Sequence, residues 1–258
     1  MNFFRYLGKL RRTMERQFLV RKDPVTGLLY QQMYDSKIFF RDRGGYIPKR
    51  DIDSLCRDVY FRDYLPGGLD TVVDIGAGYG HEALYCEMKS PGVRYIGVEV
   101  QPSVYECLAN TFAPYRSNLK ASPRAISSEP ALYLDSASCK GYEDVQTTGD
   151  GPVEVATSSW EEFKARFSID RISLLKVNIE GGERYLLPTL GNLLEVDRVI
   201  ISSHDFRAER GDGEHFRTRK FVLDYLIGAG FTPRSLKDEY WWRDWIYAER
   251  TSAETKVG

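Results

Sequence analysis

The chain has 258 residues, 42% hydrophobic and 28% charged, enough to bury one large core with at most a small appendage. Its 36 basic and 37 acidic residues leave a formal charge of -1, which excludes the broad positive field expected of a nucleic-acid wrapper. Four scattered cysteines, Cys56, Cys86, Cys107 and Cys139, include no CxxC pair, so neither a disulfide framework nor a zinc knuckle is expected and a cytoplasmic setting fits.

The first 22 residues, MNFFRYLGKLRRTMERQFLVRK, lack the continuous apolar stretch of a secretory signal, and no run in the chain approaches the ~20 apolar residues of a membrane-spanning helix. Phe3, Leu7, Leu10, Met14 and Phe18 recur at helical spacing, with Arg5, Lys9, Arg11, Arg12 and Arg16 on other faces. Two uses fit such a basic amphipathic helix. It packs its apolar stripe on the domain, or it touches a membrane surface or closes over a substrate.

Next, LLYQQMYDSKIFF predicts a short hairpin, with the turn at Arg41–Gly45, and Asp51–Tyr60 predicts a helix. From Thr71 the texture changes to short apolar runs: TVVDIGAG, VRYIGVEV, LKASPRAIS, ISLLKVN and DRVIISS. Helical patterns at His81–Lys89, Ser103–Phe112, Trp160–Phe167 and Glu183–Leu194 separate them. That alternation predicts a doubly wound α/β fold, with a mostly parallel, seven-stranded Rossmann-like sheet covered on both faces. ALYLD and VEVAT read as extra strands around a polar loop, SASCKGYEDVQTTGDG. A last helix, His215–Gly228, leads into two antiparallel closing strands, FTPRSLKD and WRDWIYAER. The expected organisation is an extension over residues 1–70, a catalytic domain over 71–250 and a frayed tail over 251–258.

The segment Val72–Gly80 ends a buried strand in Asp74, then turns through Gly76, Ala77, Gly78 and Gly80 into a helix beginning near His81. In an open α/β sheet, ligands lie over the carboxyl ends of the strands, where the strand order reverses. A dinucleotide fingerprint wants a third glycine at the position of His81, and pyrophosphate gains nothing from an acid at the strand end. A cationic ligand with an amino group suits Asp74 better. Glu99 ends the next strand, about one βα unit downstream, where a carboxylate accepts both ribose hydroxyls of a nucleoside. S-adenosyl-L-methionine satisfies both acids. The competing readings are a nicotinamide-dependent oxidoreductase and a non-catalytic S-adenosylmethionine-binding protein.

At these residues the sequence resembles the FkbM-type methyltransferase family. The resemblance rests on VVDIGAGYG, GVEVQPSVYECLAN, RAISS, LLKVNIEGGE and IISSHDF, and runs from about Thr71 to Phe206. It implies methyl transfer from S-adenosyl-L-methionine to a hydroxyl of a sugar, glycan or natural product. The implied cofactor residues are Asp74, Gly76, Ala77, Gly78, Glu99, Val100, Ala125 and Ile126. The family's aspartate after Lys176-Val177 is Asn178 here, which removes a charge near the transfer site.

Displacement at a sulfonium methyl needs the acceptor oxygen about 3 Å from the carbon and a group to take its proton. His204, at the end of the fifth strand, and Glu180, in NIEGGE, are the candidate bases, with Asn178 as a hydrogen-bonding partner. Lys176, inside an apolar strand, suits a structural ion pair. No metal is expected, because Asn178, Glu180 and His204 make a poor hard-cation cage. The loops Asp205–Arg219 and Ser136–Pro152 flank the site, and the first carries Arg207, Arg210, Arg217 and Arg219, either gripping an anionic acceptor or solvated. Trp241, Trp242 and Trp245 either stack on sugars or pack the core. A base-methylating enzyme is not expected, since the chain has NIEGGE where such proteins carry an Asn/Asp-Pro-Pro-aromatic block.

Overall fold

The computed structural model describes residues 13–134, 147–148, 153–235 and 240–251. Residues 13–19 form helix α1, and three short strands follow: β1 (Arg21–Lys22), β2 (Leu29–Met33) and β3 (Ser36–Phe40). The hairpin turns at Tyr34-Asp35, between the paired Met33 and Ser36, with Tyr34 at φ 52°. Arg43–Gly45 is instead a 3-10 turn capped by the Asp42 side chain, so the expected turn lies too far along the chain. Helix α2 (Lys49–Leu55) runs into one π-helical turn, Cys56–Tyr60.

The α/β body continues with β4 (Thr71–Ile75), α3 (His81–Lys89), β5 (Arg94–Val98), α4 (Pro102–Phe112) and β6 (Leu119–Ser122). A small sheet uses β7 (Ala125–Ile126), β8 (Ala131–Leu134), β9 (Thr147–Thr148) and β10 (Val153–Ser158). Then come α5 (Trp160–Phe167), β11 (Leu174–Val177), α6 (Glu183–Leu186), β12 (Arg198–Ser202), α7 (Asp205–Glu209), α8 (Arg219–Gly228), β13 (Phe231–Ser235) and β14 (Trp245–Arg250). The run LKASPRAIS is therefore two strands, because Pro123 has no N–H for a ladder and the chain leaves the main sheet there. The expected helix Glu183–Leu194 stops at Leu186 and tightens into a 3-10 turn containing Pro188.

The main sheet has the order β13-β14-β12-β11-β4-β5-β6, seven strands of which β14 alone runs antiparallel to both neighbours. Successive residues point to opposite faces, as the period of a strand demands. Val72, Tyr95, Leu174 and Ile200 join one core, with α3, α4 and the hairpin; Val73, Ile96, Leu175 and Val199 join the other, with α5 and α8. The N-terminal strands are continuous with the first core: Phe39 N–H donates to Thr111 Oγ1 on α4 at 3.1 Å, and Phe40 is fully buried. From β4 the chain builds outward to β6, then returns to lay β11 on the other side of β4. That reversal of strand order places the carboxyl ends of β4 and β11 side by side, where open α/β sheets bind ligands. Trp245 is buried against Tyr60, ring centroids 5.0 Å apart, which assigns it to packing. Residues 1–12, most of the polar loop and residues 252–258 lie outside the described residues.

Candidate functional site

The turn after β4 is shaped by how closely two strand ends approach. Gly76 adopts φ +85°, and a Cβ there would stand 2.0 Å from the Asn178 carbonyl oxygen, so only glycine fits. The Gly76 and Ala77 amides donate to the Val98 carbonyl at 2.9 and 3.0 Å, which ties the turn to the end of β5. Gly80, at φ +86°, packs against Phe112 and Leu108 and starts α3.

Around this turn lies a cavity of about 930 Å³, within the range of small-molecule sites. Gly76, Ala77, Gly78, Glu99, Val100, Ala125 and Ile126 line it together with Asn178 and Glu180. Glu99 accepts from the Gly78 amide at 3.1 Å and the Gln101 amide at 2.9 Å. Burial nevertheless pushes its carboxyl up to about 7, with those amides pulling the other way. Two buried polar atoms on residues that line the cavity have no partner: Gln101 Oε1 and His81 Nε2. Burial pulls the His81 imidazole down to about 4, so it is neutral at neutral pH.

Two of the expected residues are not on the wall. Asp74 is 1% exposed, with Oδ1 accepting from Lys176 Nζ at 2.8 Å and Oδ2 from the Tyr95 hydroxyl at 2.6 Å. Strand register explains this: Lys176 of β11 sits directly opposite Asp74 of β4, so the sheet itself pairs them. Burial works against the Lys176 ammonium, but Asp74 and Glu82 hold it charged, above its ordinary range. The expectation that Asp74 meets a ligand's amino group is corrected: its partners are Lys176 and Tyr95.

His204 is likewise behind the wall. It is 2% exposed, at φ +56°, with Nε2 3.2 Å from Glu180 Oε1 and Nδ1 3.2 Å from Glu183 Oε1. Burial alone would lower its pKa, yet the two carboxylates raise it to about 10. At neutral pH it is therefore an imidazolium with no lone pair to offer, which corrects its expected role as general base. Glu180 is the member that reaches the cavity. Burial raises its pKa, but His204 and Arg207, whose NH1 donates to Oε2 at 2.8 Å, bring it below the ordinary value. Glu180 also adopts φ +53°, a left-handed conformation that costs a non-glycine residue on the order of 1 kcal/mol or more. Glu183, fully buried, accepts at Oε2 from the hydroxyl of Thr218, the residue before α8, at 3.0 Å.

The loop 205–219 is partly helical and its arginines turn inward on one another's acids. Arg207 pairs with Glu180 and Asp212, Arg210 with Asp212, and Arg217 with Glu214. The residue of this loop that lines the cavity is His215, beside Arg184 and the 76%-exposed Tyr185. None of these three was read from the sequence, nor were Ile47, Ile52, Leu55 and Tyr60, through which the N-terminal extension forms one side of the cavity. Ser127 and Ser128, also on the wall, do fall in the RAISS block that marked Ala125 and Ile126.

Comparison with known proteins places the chain in a family. The family described as "Methyltransferase FkbM domain" matches residues 74–232. A curated relative, "Hexuronic acid methyltransferase AglP" of Haloferax volcanii, is 27% identical over 143 residues, covering 52% of this chain and 56% of that protein. The chain thus spans little more than half the length of that relative. Among solved structures, an O-methyltransferase from Bacillus cereus in complex with SAH superposes with a TM-score of 0.50 at 7% identity, over 80% of this chain and 83% of the other. Aeropyrum pernix fibrillarin gives a TM-score of 0.45 at 16% identity, over 89% and 86%.

Proposed function

The chain belongs to the FkbM methyltransferase family, and from that premise we propose that it transfers a methyl group to a hydroxyl oxygen of a sugar, glycan or natural product. The methyl donor is S-adenosyl-L-methionine. The observation that carries the reading is one cavity lined by Glu99, the glycine turn, Asn178 and Glu180 together. The Haloferax volcanii relative, whose name specifies a hexuronic acid, favours a sugar acceptor.

The residues fit the donor. Glu99 offers a carboxylate at the end of β5 for the ribose hydroxyls, and Gln101 Oε1 is a buried acceptor that still lacks a donor. Gly76, without a side chain, keeps the backbone path beside them clear, and Ala125 and Ile126 give an apolar flank. When bound, the donor supplies a sulfonium methyl open to in-line attack by oxygen. Glu180 would receive the hydrogen bond of the acceptor hydroxyl and take its proton as the oxygen–methyl bond replaces the methyl–sulfur bond, the donor leaving as its neutral thioether. A hydroxyl becomes strongly acidic during that step, so a carboxylate held below its ordinary range still serves. The His204 imidazolium and Arg207 keep Glu180 ionised and aimed between turnovers. Asn178 orients the acceptor from the end of β11.

Calorimetric titration with S-adenosylmethionine, S-adenosylhomocysteine and NAD tests the cofactor half, alongside Glu99→Ala. Micromolar binding of the adenosyl ligands, weakened about 10- to 100-fold by the substitution, is expected from the loss of hydrogen bonds to a charged group. Binding of NAD alone, or of no ligand, would overturn it. A screen of hexuronic acids, neutral hexoses and small phenols with labelled donor then tests the acceptor, and transfer to none of the sugars would remove the sugar reading.

A further inference from the structure

The donor's α-ammonium loses its expected partner at Asp74, because both oxygens of that carboxylate are taken, Oδ1 by Lys176 at 2.8 Å and Oδ2 by Tyr95 at 2.6 Å. The next acid along the chain is Glu82, the second residue of α3, and it lines the cavity where Asp74 does not. Its side chain is 13% exposed, and Oε1 lies 3.6 Å from Lys176 Nζ, too far for a hydrogen bond. Lys176 is therefore shared unequally: it donates to Asp74 and only faces Glu82. Two carboxylates have one ammonium between them, and the surplus negative charge falls on the member that meets the cavity.

The other acids of the wall are engaged or solvated. Glu180 pairs with His204 and Arg207, Glu99 accepts from two amides, and Glu129 is exposed. A carboxylate largely withdrawn from water and incompletely paired favours a cationic ligand. A second observation points the same way. His81, the residue before Glu82, is 5% exposed and lines the cavity, and its Nε2 is buried with no partner. Such an atom costs free energy until something supplies a hydrogen bond. Burial keeps this imidazole neutral at pH 7, so it contacts a ligand without adding a competing positive charge. We propose that Glu82 holds the α-ammonium of S-adenosyl-L-methionine, with Lys176 positioning its carboxylate from behind the wall and His81 Nε2 bonding the same amino-acid arm.

The assignment rests on the methyl-donor reading and deepens it, moving the ammonium site from the end of β4 to the first turn of α3. It also gives the N-terminal extension a place beside the donor. The Tyr60 ring centroid lies 5.4 Å from Lys176 Nζ, and Tyr60, from the π-helical turn, lines the cavity with Glu82. An adenosine ligand without an ammonium gains nothing from Glu82, whereas one that carries it gains a charged hydrogen bond.

Calorimetry with two ligands tests it: S-adenosylhomocysteine, and the same thioether lacking only its α-amino group, each titrated into the wild type and Glu82→Gln. In the wild type, removing the amino group should weaken binding about 10- to 100-fold, the scale of a hydrogen bond to a charged group. In Glu82→Gln that difference should shrink to within about threefold, because the cycle isolates the contact between the two groups. The variant should bind the desamino ligand no more weakly than the wild type does, which also shows it to be folded. Equal losses on both ligands in the variant overturn the proposal, since Glu82 then only shapes the site. A difference as large as in the wild type overturns it too, by placing the ammonium on another group. A wild type that binds the two ligands equally overturns it without any variant. A wild type that binds neither removes the donor reading itself and this assignment with it, so the two failures are told apart.

Discussion

On the Gly76–Gly78 side of the cavity, the wall is backbone and one carboxylate, supplied by the neighbouring strands β4 and β5 and their turns, with the turn's amides bonded to Val98 and Glu99. On the Glu180 side, side chains gather from separate elements: Glu180 after β11, Glu183 on α6, His204 after β12, Arg207 on α7 and Thr218 before α8. The first side holds its shape through hydrogen bonds within the turn. The second holds it through a buried alternation of charge, in which one imidazolium lies between two carboxylates. A backbone cradle tolerates the loss of a side chain, whereas a buried charge network does not, because removing one member leaves its partners uncompensated.

The largest expected effect therefore lies on the second side. His204→Gln should destabilise the fold by about 3–5 kcal/mol, read from urea unfolding at pH 7, since it leaves the buried Glu183 without a cation and Glu180 with Arg207 alone. The pH dependence has a definite sign. His204 rises from an ordinary 6.5 to about 10 in the folded chain, so its stabilisation is complete below about 6.5 and is lost as pH climbs to about 10. The gap between wild type and variant should narrow over that window. A gap constant from pH 6 to 10 would show that His204 is not charged and would restore it as a candidate base.

The same contrast decides what could be read from the sequence. The doubly wound sheet, the glycine turn and Glu99 are local patterns: an apolar run, a turn chemistry and an acid at a strand end, each visible within a few residues. Val100, Ala125 and Ile126 came with the family blocks, and all three lie on the cavity wall. Asp74 was misjudged because its environment depends on register. Nothing near position 74 reveals that Lys176 will stand opposite it, although the lone lysine in an apolar strand was itself a sign of an ion pair. His204 was misjudged for a similar reason. Its position at a strand end was correct, but its charge is set by Glu180 and Glu183, which approach only when β11 and β12 pair. The contribution of Ile47, Ile52 and Leu55 to the cavity was not legible at all, since it follows from how the extension folds back onto the body.

Glu99 offers a smaller effect on the first side. Its carboxyl sits at about 7 in the free protein, and ribose hydroxyls hydrogen-bond best to the ionised form. Donor affinity should fall as pH drops below about 7, by no more than tenfold per unit, and Glu99→Gln should bind more weakly with that dependence gone. Calorimetry between pH 5.5 and 8.5 measures it. An unchanged slope in the variant would place the titrating group elsewhere.

The finest test separates two arginines of one loop. Arg207 is largely buried and bridges Glu180 and Asp212, with its guanidinium 4.0 Å from the Phe216 ring centroid. Arg210 is half-exposed and pairs with Asp212. Solvent screens the second pair, so Arg210→Ala should change stability by less than about 0.5 kcal/mol. Arg207→Ala should cost about 1–3 kcal/mol, because Glu180 loses a charged hydrogen bond and the ring loses its cation. Arg207→Lys keeps the charge but cannot reach both acids with one planar fork, and should fall between the two. Urea unfolding of the three variants orders them. Equal effects at 207 and 210 would mean that the Glu180 side is as well solvated as the surface around it, and the contrast between the two sides of the cavity would then rest on His204 alone.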